Sequence, residues 1–465
     1  MKKISAILLS FILATTMLFA VPVFAEDGTG SPDQDPTAAD TTYEPQLGTN
    51  GKAALAYFGV DKHNVFEVSS TAGSNDIRTL ITAVKTDATS SSPVMIYVKS
   101  GTHTLTYSLG IPENVIFVAE NGVVFKRAFS DKMVKLKGSL YGGTWDGGNI
   151  AQNIIQMVNT NTTGKNMTVM KAVIRNTKMD GVHINDRPVK HGKVLNNTIT
   201  NCKHNGVSVY NGGQFDTISG NTITNIGKTS TKNGSAIDIC SSNAATISNN
   251  KISNVVGHGI STDPVSSNGR YGCKITTISG NTIKNVKHQG VYIENRCSVT
   301  KFYNNKISNV QGCCLTVDKN AKVYAMSGNR LSGKGSLSKK GKHSIVTLNG
   351  KGAYIKIGKN NKIYNGYAAG IALSKKAKVD ITGNGNQITH CKKNGIQLAA
   401  GSKLKITGKT KITNNRWGIN TSGKASISIK KTTIKSNKKG AIYYLRGTKL
   451  KRSGCSIKGQ VYKAK

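Results

Sequence analysis

The sequence is poor in proline, in acidic residues and in closely spaced cysteines, and each shortage excludes a class of protein. Only 8 prolines accompany 50 glycines, and glycine does not recur at every third position, which excludes a collagen triple helix. With 22 Asp+Glu against 64 Lys+Arg, the 465 residues carry a formal charge of +42, which excludes an acidic disordered chain. No two cysteines have the CxxC spacing of a thiolate zinc site, so zinc is not expected.

Long apolar runs are absent beyond the first residues. Lys2 and Lys3 precede a mostly apolar stretch at 4–21, and a run ending at Ala25 suits signal peptidase. Residues 1–25 are therefore predicted to be the signal peptide of a secreted protein, and no later run predicts a membrane span. Residues 26–50 contain acidic and turn-forming residues without Lys or Arg, and are predicted to be a flexible acidic leader.

Residues 51–92 are predicted to form an N-terminal capping region around one amphipathic helix. Apolar residues at 77, 80, 81 and 84 have helical spacing, and Asn75 or Asp76 is a suitable residue to cap the helix start. A run typical of a strand, VMIYV at 94–98, follows directly. We expect the helix to close one end of a β architecture.

From residue 93 to 465 the chain is predicted to be a solenoid of short strands. The segments TISGNTITN (217–225), TISNNKISN (246–254) and TISGNTIKN (277–285) repeat one unit, in which hydrophobic residues alternate with period two. One asparagine recurs about every 26 residues. Its copies are Asn197, Asn221, Asn250, Asn281, Asn305, Asn329, Asn361 and Asn386, replaced by Thr410 and Thr432 at the end. This asparagine is predicted to adopt a left-handed turn conformation and to hydrogen-bond to the asparagine of the next coil.

Each repeat also carries a small residue followed by two aliphatic residues separated by one position. Examples are GVHI (181–184), GVSV (206–209), AIDI (236–239) and GVYI (290–293). In these motifs the chain resembles the right-handed parallel β-helix, or pectin-lyase-like, superfamily. The resemblance implies an all-β, right-handed parallel β-helix solenoid with an N-terminal amphipathic capping helix. It also implies that the GIxI-type strands line a substrate cleft, on a scaffold that carries lyases, glycosidases, epimerases and non-catalytic adhesins alike.

Two further motifs are similar to those of polygalacturonases, the superfamily's inverting glycosidases. They are NTKMDG at 176–181 and GHGI at 257–260. The aspartate pair of those enzymes is replaced by His204 and Asn205, which removes the acid and base that glycoside hydrolysis needs. Glycoside hydrolysis therefore ranks third among the expected activities. The residues expected to bind substrate, from their outward positions near the cleft, are Asp180, His183, Tyr210, Asp238 and Tyr292.

Three carboxylates share one position in successive repeats. Asp263, Glu294 and Asp318 each lie four residues after the small residue of their motif, so they are predicted to stack at the ~4.8 Å strand spacing. Stacked carboxylates repel one another unless a cation lies between them, and Ca²⁺ is the expected cofactor. In the alternative, these acids only pair with Arg296, Lys287 and Lys319 on a solvated face.

The resemblance to pectate lyases implies that calcium neutralises a uronate carboxylate while Arg296 or Arg270 removes the C5 proton. His258, which precedes a strand as His204 and His288 do, is the third candidate for acid–base catalysis. Cys273 and Cys297 occupy equivalent places in adjacent repeats, where a disulfide is one expectation for an exported protein.

The positive charge is concentrated in the last third of the chain. Residues 321–465 contain 33 Lys+Arg and one acid, Asp380. Such a surface favours a polyanion, with an acidic uronate polysaccharide as the first choice and lyase-type elimination as the chemistry. The alternative is a non-catalytic, wall-associated or adhesive solenoid that binds teichoic acid or another polyanion. Nucleic acid is not expected, because few aromatic residues are available to stack on bases, and we expect a monomer.

Overall fold

The computed structural model describes residues 45–158, 167–184, 191–210, 214–227, 234–264 and 272–464. The predicted signal peptide, most of the predicted leader and Arg270 lie outside these residues. Within them, the chain forms a parallel β-solenoid with short helices at its N-terminal end. The prediction of an all-β parallel solenoid with an N-terminal helix is therefore confirmed.

Two helices lie at the N-terminal end of the solenoid. Helix α1 spans Thr49–Phe58, a 3-10 turn spans Lys62–Asn64, helix α2 spans Ser74–Val84, and a third helix, α3, spans Ser336–Gly341 in a longer coil. Helix α2 is the predicted capping helix. The carboxylate of Asp76 accepts a hydrogen bond from the Gly73 N–H at 2.9 Å, and the apolar stripe of the helix joins the solenoid core.

Helix α1 was not expected, and it begins at the end of the range predicted as leader. Asn50 is buried in it, and its backbone N–H donates to the Glu120 carboxylate at 2.8 Å. The side-chain amide of Asn50 also donates to the Ala119 carbonyl at 3.0 Å. These bonds attach the start of α1 to the first coils of the solenoid.

Two parallel sheets, of 29 and 15 strands, run along the described part of the solenoid. The larger one consists of two rows of strands, here called sheet 1 and sheet 2, and the smaller one is sheet 3. The strands Val115–Arg127 and Ser139–Asp146 are long enough to pair in both sheet 1 and sheet 2. Besides these two, sheet 1 contains Val65–Val68, Val94–Val98, Met167–Met170, Gly192–Leu195, Gln214–Ser219, Asn243–Ser248, Lys274–Ser279, Ser298–Tyr303, Lys322–Ser327, Tyr354–Ile357, Lys378–Ile381, Lys403–Ile406, Ser426–Lys430 and Lys449–Ser453.

Sheet 2 follows sheet 1 within each coil. Its other strands are Thr102–Leu105, Val173–Thr177, Thr198–Cys202, Thr222–Ile226, Lys251–Val255, Thr282–Val286, Lys306–Val310, Arg330–Ser332, Lys362–Tyr364, Asn386–Thr389, Thr410–Thr413, Thr432–Lys435 and Ser456–Ile457.

Sheet 3 closes each coil and contains the GIxI-type motifs. Its strands are Leu109–Ile111, Val134–Leu136, Ile155–Met157, Val182–Ile184, Val207–Val209, Ile237–Cys240, Ile260–Asp263, Val291–Ile293, Leu315–Val317, Val346–Leu348, Ile371–Leu373, Asn394–Leu398, Trp417–Thr421, Gly440–Leu445 and Val461–Ala464. The aliphatic residues of the motifs point inward and are buried, so the residues between them form columns on the outer face.

The recurring asparagines form a buried ladder at the corner between sheets 1 and 2. From Asn197 to Asn361, the backbone N–H and the side-chain amide of each asparagine donate to the side-chain oxygen of the next, at 2.9–3.1 Å. The predicted hydrogen bond from coil to coil is therefore confirmed.

The left-handed conformation belongs to a different residue from the one expected. The residue before each ladder asparagine has a positive φ, as Asn249 (55°) and Gly280 (65°) illustrate. The ladder asparagines themselves are not in the left-handed region. The ladder asparagines recur because of their hydrogen bonds, while the Asn or Gly before each of them makes the turn.

All eight cysteines are free thiols in the structure. Cys273 and Cys297 are neighbours, as predicted, because the Cys273 N–H donates to Cys297 Sγ at 3.2 Å. The expected disulfide between them is not formed. Both side chains are buried in the core, where they pack as small apolar residues.

Candidate functional site

The outer face of sheet 3 carries a run of polar side chains across successive coils. The strand register aligns one outward column in chain order. Its members are Gln156, His183, Ser208, Asp238, Ser261, Tyr292 and Thr316. The predicted outward positions of His183, Asp238 and Tyr292 therefore lie in a single column, and residues at the two ends of these strands flank it.

A buried carboxylate lies at the centre of this face. Asp180 is 2% exposed and accepts four hydrogen bonds. Its Oδ2 accepts from the hydroxyl of Ser208 at 2.6 Å and lies 2.8 Å from Nδ1 of His183. Its Oδ1 lies 2.8 Å from Nδ1 of His204 and accepts from the Asn205 N–H at 2.8 Å. Asp180 therefore holds two histidines from adjacent coils.

This environment keeps Asp180 ionised. Burial opposes ionisation, but the hydrogen bonds from His183 and His204, and the attraction of their rings, hold the pKa of Asp180 well below its usual value. A carboxylate can only accept hydrogen bonds, so it places a proton on Nδ1 of each histidine. At His204 the bond to Asp180, at 2.8 Å, is shorter than the 3.1 Å contact of the same Nδ1 with the side-chain nitrogen of Asn205. Among the described residues, none hydrogen-bonds to Nε2 of either ring. Each neutral ring thus offers a basic Nε2, the arrangement that general-base histidines use.

Asp180 was expected to contact substrate, but the structure places its side chain below the surface. It lies beneath the two rings, whose side chains are 15% and 19% exposed, so the histidines and not Asp180 face a ligand on this surface. From the sequence, His204 was expected only to precede a strand and, with Asn205, to replace the aspartate pair of polygalacturonases. The signal that could have identified it is the spacing of His204 and Asp180, which are one coil apart at nearly equivalent positions.

A tyrosine and a second carboxylate adjoin this pair of histidines. The Tyr210 ring lies 5.5 Å from the His183 ring, and its hydroxyl donates to Asp238 at 3.1 Å. Ser261 donates to the other oxygen of Asp238 at 2.6 Å. Burial and then the charge of Asp238 raise the pKa of Tyr210, so its hydroxyl keeps its proton at neutral pH.

His258 has the opposite tautomer to the two histidines bound to Asp180. Its Nδ1 accepts a hydrogen bond from the Gln289 N–H at 3.3 Å, so the proton of the neutral ring is on Nε2. Burial, with the neighbouring His288, lowers the pKa of His258 to about 4. Its ring lies 5.0 Å from that of Tyr292, whose hydroxyl donates to Asp318 at 3.0 Å. His258 is therefore arranged to donate a hydrogen bond to a ligand and not to remove a proton.

The three carboxylates of the predicted calcium site lie in register at the end of their strands. Thr262 pairs with Ile293, and Ile293 with Val317, so the residues that follow them, Asp263, Glu294 and Asp318, succeed one another along the face. Burial and then the charge of Asp263 raise the pKa of Glu294 to about 8.

The described part of the chain contains no group of three or more His, Cys, Asp or Glu that could hold a metal ion. Calcium binding at Asp263, Glu294 and Asp318 stays a prediction. Arg296 follows Glu294 in a left-handed turn with φ of 62° and is exposed, and its role as a base stays a prediction. Arg270 lies outside the described residues.

The comparisons with known proteins bear on the fold. Among the described residues, no helix has the length and apolar character needed to cross a bilayer. A comparison with curated proteins finds no match. Similar solved structures include the A-module of the mannuronan C-5 epimerase AlgE4 from Azotobacter vinelandii, with 11% identity, a TM-score of 0.45, and coverage of 84% of this chain and 98% of that one.

Two others are a variant of the periplasmic alginate epimerase AlgG and PfbA, a surface adhesin of Streptococcus pneumoniae. The first has 13% identity, a TM-score of 0.47, and coverage of 93% of this chain and 100% of that one. The second has 13% identity, a TM-score of 0.37, and coverage of 78% and 92%. At these identities the likeness concerns the fold alone. The family model for the right-handed beta helix region matches residues 153–331 and 326–464, more than half of the chain. The chain therefore belongs to the right-handed beta helix family.

Proposed function

We propose that this protein is an exported enzyme that transfers protons on an acidic polysaccharide, with elimination at a uronate residue as the reaction. The observation that carries the proposal is the pair of histidines, His183 and His204, held through Nδ1 by the single buried carboxylate of Asp180. A structural solenoid has no need to bury a charge and to orient two imidazole rings outward with it. The mostly apolar stretch at residues 4–21, preceded by Lys2 and Lys3, supports export.

Elimination at a uronate needs a base for the C5 proton and an acid for the departing glycosidic oxygen. Nε2 of one histidine takes the C5 proton, the electron pair forms the C4–C5 double bond, and the C4–O bond breaks. Tyr210 keeps its proton at neutral pH; in the reaction its O–H turns from Asp238 to the leaving oxygen and gives up the proton, which leaves a tyrosinate. This assignment gives the base to a histidine, where the resemblance to pectate lyases implied an arginine.

A panel of polyuronates tests this proposal. We expect the full secreted chain to release unsaturated products from at least one polyuronate, measured as a rise in ultraviolet absorbance, with and without added calcium. A neutral glucan of similar length serves as the control and is expected to give none. Reducing sugar released without unsaturated product would instead indicate hydrolysis, and the absence of both across the panel would contradict an enzymatic function.

We expect Ca²⁺ to bind at this site to two carboxylates of the protein and to the substrate. Asp263 and Glu294 adjoin in register, and Ca²⁺ accepts carboxylate oxygens in loose geometry, with the uronate supplying the others. A cation there would help to neutralise the substrate carboxylate. No proton transfer in the mechanism depends on it.

Calcium chloride alone is expected to raise the melting temperature by about 3 °C, because a ligand bound only by the native state stabilises it. The double variant Asp263→Ala, Glu294→Ala should lose this rise. Asp216→Ala, which removes a carboxylate elsewhere on the solenoid, should keep it. The same response to calcium in the double variant would exclude these carboxylates as ligands.

A non-catalytic, polyanion-binding solenoid is the second candidate, and the arrangement of basic residues favours it. Lys306, Arg330 and Lys362 are register partners in sheet 2, and Lys378 and Lys403 are register partners in sheet 1. Basic side chains thus repeat at the ~4.8 Å strand spacing on two faces. Binding to wall or to teichoic acid without any product from the polyuronate panel would select this candidate.

A further inference from the structure

A groove opens at the corner between sheets 1 and 2 in the last coils of the basic third. Its volume is about 640 Å³, within the range of ligand pockets. One side is a register column of sheet 2, formed by Gln387, Lys411, Thr433 and Ser456. The turns that lead into these strands form the other side and contribute Asn384, Lys409, Lys431 and Gly454. The groove follows four coils, or ~14 Å at the strand spacing.

The groove occurs where the asparagine ladder ends. Asn386 is the last ladder asparagine, and its side-chain amide donates to the Gly358 and Gly383 carbonyls, not to the next coil. Thr410 and Thr432 take the ladder position in the following coils. Their hydroxyls donate within their own turns, to the Gly408 and Lys430 carbonyls. Because threonine is shorter than asparagine, the side-chain ladder is interrupted at the place where the groove lies.

Lys431 is in an unfavourable conformation at the edge of the groove. From Asn196 to Gly385, each turn position before the ladder residue is Asn or Gly in the left-handed region. Lys431 has the same position with φ of 52°. A lysine there costs free energy that Asn or Gly would avoid. Lys171, a lysine at the equivalent turn of an earlier coil, lies over the Tyr141 ring at 5.4 Å, whereas no described residue pairs with the side chain of Lys431.

The lysines of the groove also lack carboxylate partners. Among the described residues, no salt bridge involves Lys409, Lys411 or Lys431. Asp380, the one acid of this third, pairs with Lys378 at 2.9 Å and accepts from the Tyr354 hydroxyl at 3.0 Å. Three lysines therefore line a groove whose other side chains carry hydroxyls and amides.

We propose that this groove is a second binding site for an acidic polysaccharide, remote from the site on sheet 3, and that it holds a short run of uronate residues. Lysines bind the carboxylates, while Gln387, Thr433 and Ser456 are suited to the sugar hydroxyls. The choice of a uronate as ligand rests on the proposed function. The existence of an anion site rests on the groove alone, since its lysines and its shape do not involve the catalytic residues.

The test replaces groove lysines by the residues that other coils have at the equivalent positions. Lys431→Asn restores the usual turn residue, and Lys411→Gln copies Gln387 of the preceding coil, so neither should impair folding. Calorimetric titration with trigalacturonate, in an Asp180→Asn background that slows turnover, should show about three- to fivefold weaker binding for each variant. The two together should weaken binding about tenfold or more, and the salt dependence should become shallower.

Two controls remove the same charge elsewhere. Lys376 is an exposed lysine with φ of 61° at another turn, and Lys376→Asn relieves the same kind of strain outside the groove. Lys403→Ser copies its register partner Ser426 on sheet 1. Both controls should bind as the parent does. An equal loss in controls and groove variants would overturn the proposal in favour of a diffuse basic surface.

The probes separate the ligand from the reaction. A neutral trisaccharide should not bind, and inorganic tripolyphosphate should bind more weakly than trigalacturonate. Tighter, groove-dependent binding of tripolyphosphate would overturn the uronate assignment. If the groove variants weaken binding but the unsubstituted protein turns over no polyuronate, only the catalytic proposal is wrong. If the unsubstituted protein turns over a polyuronate but the groove variants bind as the parent does, only the groove proposal is wrong.

Discussion

Replacing Asp180 by Asn is expected to lower turnover on a polyuronate by about 10²- to 10⁴-fold, the range seen when an orienting carboxylate of a catalytic histidine is lost. An asparagine of the same shape has one oxygen and one amide nitrogen. The oxygen can still accept from Nδ1 of one histidine, but the amide must donate to Nδ1 of the other. That second ring then carries its proton on Nε2 and cannot act as a base.

The matched control is Ser208→Ala. The Ser208 hydroxyl donates to Asp180 at 2.6 Å and lies 2.8 Å from Nδ1 of His183, and its removal leaves the carboxylate charge and the bonds of Asp180 to both histidines in place. We expect less than about a tenfold loss of turnover from this variant. Thermal unfolding of both proteins should show that they remain folded. Turnover of Asp180→Asn within a few-fold of the parent would show that the histidine pair is not the catalytic base.

Strand alternation predicts the position of some residues of this site but not of others. His183, Asp238 and Tyr292 lie between the inward aliphatic residues of their motifs, so a period of two places them outward. Asp180 and His204 lie in the turns that precede sheet 3. Turn geometry, which short sequence patterns do not specify, decides that the aspartate points under the face while the histidine reaches it.

The fold shows the same division. The ladder was predictable because one asparagine recurs every 24–32 residues at the same place in the repeat. Pairs such as Asn249 and Asn250 hold two different positions, and a repeat alone does not say which residue makes the turn and which makes the ladder. Helix α1 was missed because its apolar residues have no clear periodicity, and because packing and hydrogen bonds to Glu120 in a later strand fix its start.

Substituting Leu for Asn250 is expected to lower the free energy of unfolding by about 3–5 kcal/mol, since several buried polar groups lose their partners at once. The Asn250 side chain is fully buried and takes part in four hydrogen bonds. Its amide donates to the Ile218 carbonyl and to the Asn281 side-chain oxygen, each at 2.9 Å. Its oxygen accepts from the backbone and side-chain N–H groups of Asn221, both at 3.0 Å.

Leucine has the same branching of side-chain heavy atoms as asparagine but replaces none of these bonds, and its methyl groups are bulkier than the amide, so lost hydrogen bonding and crowding both oppose folding. Each coil contacts only its neighbours, and the coils on both sides of Asn250 should become less protected in amide hydrogen exchange. Asn254→Gly is the control, because this exposed asparagine has φ of 57°, which glycine adopts without strain. Its unfolding free energy should change by less than about 1 kcal/mol. Equal stability of the two variants in denaturant unfolding would mean that the aliphatic columns, and not the buried asparagine ladder, determine how the coils stack.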